Sequence, residues 1–150
     1  MTLQNLQRIG KIKDHAPTPA EVQRLLAAID RNMADAAVDS ISDETRFDVA
    51  YKAVMQCALV AMLAAGYRPA TNEPGHHQTM IQSLPLTLGV ANDVWVVLDA
   101  LRRQRNANDY TGAPMTADVV AECLTQAKAL RKLLHARLAG KHPELMKKPA

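Results

Sequence analysis

Aromatic side chains are scarce in this chain, with one Trp, one Phe and three Tyr. Long β-branched runs are missing as well, whereas Ala and Leu, both strong helix formers, recur throughout. A sheet-built fold is thereby excluded, and an all-α fold is expected. There are only two cysteines, Cys57 and Cys123, each in apolar helical surroundings, so they read as reduced core thiols and not as a disulfide framework. No Cys/His spacing suits a zinc site, and neither a metal nor another cofactor is expected. The longest apolar run, Cys57 to Ala65, is too short to span a bilayer. No apolar run opens the chain as a secretory signal does. The expected location is the cytoplasm, with no membrane partner. A net charge of +3 is too small to name a nucleic-acid partner by itself.

The 150 residues suffice for one domain with a real core. Residues 1–17 read as an N-terminal arm with at most a short helical turn. Thr18-Pro19-Ala20-Glu21 is a helix start: Thr18 can cap, Pro19 suits the first turn, and Glu21 completes a capping box. Val22, Leu25, Leu26, Ile29 and Met33 continue it as an amphipathic helix. Ser42 opens a second helix that Gly66 stops. Tyr67 to Gly75 reads as a loop. A shorter helix follows from His76 to about Leu84, where Pro85 interrupts it. Ala91-Asn92-Asp93 starts the next, Thr111-Gly112-Ala113-Pro114 ends it, and Thr116 caps the last. Short links between long helices predict an antiparallel up-and-down bundle of about five helices over residues 18–139. Residues 140–150 read as a frayed basic tail.

The stripe Val94, Val97, Leu98, Leu101 has helical spacing, and four further places along it stands Arg105, then Asp109. A charge on a core-facing line is costly unless it is paired or serves a site. Arg105 and Asp109 are spaced for an intrahelical ion pair. Alternatively, Arg105 lines a cleft, where its planar fork suits a phosphate. Arg102 adds charge beside it, Asn106 can hydrogen-bond a base or ribose, and Tyr110 can stack on one. Tyr51, near the inner stripe of the second helix, is a further candidate lining residue, although such a Tyr also serves as a core-edge residue. His76 and His77 reach the same cleft if their helix start lies near the end of the Arg105 helix; otherwise they are exposed first-turn residues. Trp95 sits one place off the apolar stripe and fits a subunit interface.

The run Arg105-Asn106-Ala107-Asn108-Asp109-Tyr110, late in a helix of a small all-α chain, resembles the HEPN superfamily. The resemblance implies an antiparallel helical bundle, commonly a homodimer, that binds RNA or a nucleotide-like ligand. It also implies a toxin–antitoxin or defence setting with a nucleotidyltransferase-type antitoxin as partner. Active members are metal-independent endoribonucleases whose signature is an Arg, a polar residue and, after four to six intervening residues, a His. Arg105 and Asn106 match the first half; the His positions hold Tyr110, Thr111 and Gly112, so no motif His is present. A general acid or base is worth about 10²–10⁴-fold in rate. The candidate catalytic set is Arg105 and Asp109 with His76 or His77 in place of the missing His, and the candidate ligand contacts are Arg102, Arg105, Asn106, Tyr110 and Tyr51. The competing expectation is a helical interaction module, in which the Arg–Asp pair only holds the bundle.

Overall fold

The computed structural model describes residues 1–72 and 74–147. The core is one long helix, α3 (Asp43–Ala64), flanked by α2 (Pro19–Ala36) and α7 (Ala117–Lys141). Helix α3 is buried on nearly every side, from Phe47 and Tyr51 through Val54, Cys57 and Ala61 to Leu63. Its many alanines let the neighbours approach closely. Its length and apolarity would suffice to cross a membrane, but here most of it is covered by the rest of the fold. Val22, Leu26 and Ile29 of α2 and Val120, Leu130, Leu134 and Leu138 of α7 close the core from the two sides. Each such side chain contributes about 1.5–3 kcal/mol by leaving water.

The starts are set by local capping. Thr18, Ser42 and Thr116 accept the N–H groups of Glu21, Thr45 and Val119 through their hydroxyls, at 3.2, 3.2 and 3.4 Å. The capping box at α2 is left half-made: the Glu21 carboxylate pairs instead with His15 Nε2 at 2.8 Å. His15 is therefore anchored and does not lie in a loose end.

A second group of helices leans on α3: α4 (His76–Gln82), α5 (Leu84–Thr87) and α6 (Asn92–Thr111). Pro85 separates the first two, as its missing N–H requires. Helix α6 ends at Gly112, whose φ of 69° is left-handed and whose N–H reaches Asn108 at 2.8 Å. The all-α expectation holds: the four long helices α2, α3, α6 and α7 and the shorter α4 lie where the sequence places them. Two short helices add to them: α5 and α1 (Leu3–Arg8).

The N-terminal segment is not an arm. After α1, β1 (Ile12–Asp14) pairs antiparallel with β2 (Tyr67–Pro69), in the register Ile12 to Pro69, Lys13 to Arg68 and Asp14 to Tyr67. Leu6 and Ile12 are buried in the common core. The first three residues of the stretch expected as a loop after Gly66, Tyr67–Pro69, thus form a short strand, and Thr71, Asn72, Pro74 and Gly75 are turn residues. The C-terminal segment is also tied down in part. Helix α7 runs to Lys141, a 3₁₀ turn spans Pro143–Met146, and Leu145 is buried, with its carbonyl accepting from Gln23 at 3.1 Å. Lys148, Pro149 and Ala150 of the expected tail lie outside the described residues.

Candidate functional site

A cleft of about 640 Å³ lies where α3, β2, α4 and α6 meet. Helix α3 gives it Tyr51 and Lys52, with Met55 and Leu59 as floor. Pairing with β1 holds β2 in place, so that Arg68 and Pro69 form its edge. Helix α4 begins behind left-handed Gly75 and turns His76, His77 and Met80 inward. Helix α6 supplies Arg105, the continuation of its buried line.

Four of these side chains form a contiguous row. The Arg105 guanidinium lies over the Tyr51 ring, 5.1 Å from its centroid. The Tyr51 hydroxyl stands 3.4 Å from His77 Nδ1. The His77 and His76 rings meet edge to face, with centroids 4.7 Å apart. Tyr51 is only 3% exposed, with Phe47 stacked alongside, so the row is fixed from below. Its contact with a cation contributes about 0.5–1 kcal/mol.

The arginines of α6 differ in their partners. Asp99, 4% exposed, accepts from Arg102 Nε at 2.8 Å and pairs with Arg103 at 3.1 Å. Among the described residues, Arg105 has no carboxylate within ion-pair distance. A half-buried guanidinium without a carboxylate partner keeps its donors available to an incoming anion.

The charges shift their neighbours. Burial, then His76, Arg105 and Arg102, hold the His77 imidazole below its ordinary pKa, so it favours the neutral form. Burial pushes the Tyr51 phenol up to about 12, against the pull of Arg105 and Arg102, so it stays protonated. The Asp48 carboxyl is raised, chiefly by burial and then by Asp109, while Arg105 opposes the shift.

The expected site is assembled only in part. Arg105, Tyr51, His76 and His77 share the cleft. Asp109 does not: it lines a smaller concavity of about 100 Å³ with Glu44 and Asp48, to which Arg105 also contributes. Nor do Arg105 and Asp109 form the ion pair that their spacing allows. Tyr110 is 92% exposed and stands outside both concavities, because five residues along a helix turn it well away from Arg105. Asn106, next in sequence to Arg105, likewise points to solvent. Arg102 is bound to Asp99 and acts on the cleft only through its field. Lys52, Arg68 and Met80 complete the cleft without having been singled out as ligand contacts. Arg68 and Met80 carry no local signal, since pairing to a distant strand and the packing of α4 bring them in. Asp99 was legible as an (i, i+3) and (i, i+4) partner of Arg102 and Arg103. Among the described residues no three His, Cys, Asp or Glu side chains gather into a metal-holding group.

Fold and site together define a helical bundle with a cationic, apolar-floored cleft. Set against known proteins, the chain matches no family model, no curated protein and no solved structure.

Proposed function

We propose that this cleft binds RNA or a nucleotide-like ligand through its phosphate, in a HEPN-like domain of a toxin–antitoxin or defence system. One observation carries the reading: Arg105, without a carboxylate partner among the described residues, is held over Tyr51 beside His77 inside a concavity. Guanidinium and imidazole donors suit phosphate oxygens, and Met55, Leu59 and Met80 suit the organic body. His77, held neutral, is in the form a general base uses, and Arg105 can stabilise charge growing on a phosphate. Metal-independent RNA cleavage is an extension of the same reading, which binding alone does not require.

The test is titration of fluorescently labelled RNA and of nucleoside monophosphates at two salt concentrations, followed by gel analysis of the RNA. Saturable binding that weakens with salt and drops at least tenfold in Arg105→Gln supports the reading. Binding indifferent to that substitution, or absent for every such ligand, overturns it.

The interaction-module reading has its own observation. Met1, Leu86 and Trp95 line a further concavity of about 340 Å³, where Met1 and Leu86 are exposed large hydrophobic side chains. Such an apolar patch suits a homodimer contact. A monomeric chain in sedimentation experiments overturns that reading.

A further inference from the structure

The cations of the cleft converge on one space and do not run in a line. They come from three separate elements, Lys52 from α3, Arg68 from β2 and Arg105 from α6, and the imidazoles of His76 and His77 on α4 face the same space. Asp48 is the one carboxylate among the described lining residues. A nucleic-acid strand spreads its charge, one per phosphate, and is met by a basic track with exposed aromatic platforms for its bases. Among the described residues no Tyr, Trp or Phe ring lies open in this cleft. Tyr51 is covered by Phe47 and Arg105, and the freely exposed Tyr110 stands outside the cleft.

A terminal phosphate monoester is a different object. It carries about −1.5 to −2 charge at pH 7 and presents three acceptor oxygens to donors arriving from several sides. The cleft's volume of about 640 Å³ is that of a site enclosing one small molecule. The floor of Met55, Leu59 and Met80 gives the uncharged part of such a molecule an apolar seat.

We infer that the cleft takes the terminal phosphate of a small phosphate monoester, of mononucleotide size, in preference to an internal phosphodiester of a strand. This rests on the phosphate-site reading above and narrows its ligand class. Arg105 and His77 receive the phosphate oxygens from the α6 and α4 sides, and Lys52 and Arg68 close on it from the rim.

Calorimetric titration of the full chain at pH 7.5 decides the matter, with three probes. They are adenosine 5′-monophosphate, its methyl phosphate ester (one oxygen capped, one charge removed), and an oligoribonucleotide without a terminal phosphate. The monophosphate should bind at least tenfold more tightly than the methyl ester and more tightly than the oligonucleotide. Arg105→Gln and Lys52→Gln should each shrink that preference. Equal affinity for monophosphate and methyl ester, or a tighter oligonucleotide, overturns this inference while leaving the phosphate site standing. Binding of none of the three removes the phosphate site and this inference with it. The comparison is made on the unaltered chain, so it decides even if a substituted chain does not fold.

Discussion

Replacing Arg105 with Ala separates a site residue from a structural one. Arg105 makes no ion pair among the described residues and lies 5.1 Å from the centroid of a buried Tyr51 ring. The folded state therefore loses one cation–aromatic contact, about 0.5–1 kcal/mol for a partly exposed pair. Ala and Arg have similar helix propensity, so α6 itself is little changed. For a chain of this size the loss lowers Tm by about 1–4 °C. Had Arg105 been one half of a buried ion pair, the cost would be about 3–5 kcal/mol. Thermal melting with circular dichroism, paired with titration of adenosine 5′-monophosphate, measures both quantities on one preparation. The expected result is a nearly native melt with binding reduced at least tenfold. A collapse in Tm with binding preserved in the fraction that folds would refute the reasoning.

Other outcomes follow from the same geometry. Asp99→Ala should cost more than Arg105→Ala, about 1–3 kcal/mol, because half-buried Arg102 loses its partner; equal urea midpoints for the two variants would contradict this. His77 has a folded-state pKa below its ordinary 6.5, so on acidification the unfolded chain takes up its proton first. Its contribution therefore weakens stability as pH falls through about 6.5 and levels off below the folded pKa. His77→Gln should remove that part of the slope in urea denaturation, and an unchanged slope would count against it. Cys57 and Cys123 are buried and pushed up to about 12, so a thiol reagent at pH 8 should leave both unmodified until denaturant is added. Rapid labelling of the native chain would show that the core around α3 opens.

Caps and apolar periodicity made the helices readable in the sequence. Thr18, Ser42 and Thr116 are capping residues by type, and the structure uses each hydroxyl that way. Arg105 was legible for the same reason, as a charge placed on an apolar line. Its partners in the cleft were harder to read. Tyr51 and His77 are separated by 26 residues, and only the packing of α4 on α3 makes them neighbours. The strand pair was invisible because three residues are too few to show an alternation, and Pro69 argues against a strand except at a sheet edge. Asn106 and Tyr110 are near Arg105 along the chain but are exposed and outside the cleft. On a helix, each residue turns by about 100° from the last.

The sharing of Asp99 changes what α6 looks like from outside. Arg102, Arg103 and Arg105 read as a triple positive cluster, yet one carboxylate engages two of the three. Asp99, Arg102 and Arg103 together count as a single positive unit, and Arg105, which makes no ion pair among the described residues, has the carboxylates of Glu44, Asp48 and Asp109 around the smaller concavity beside it. An approaching polyanion therefore meets less attraction along this helix than a tally of basic letters suggests.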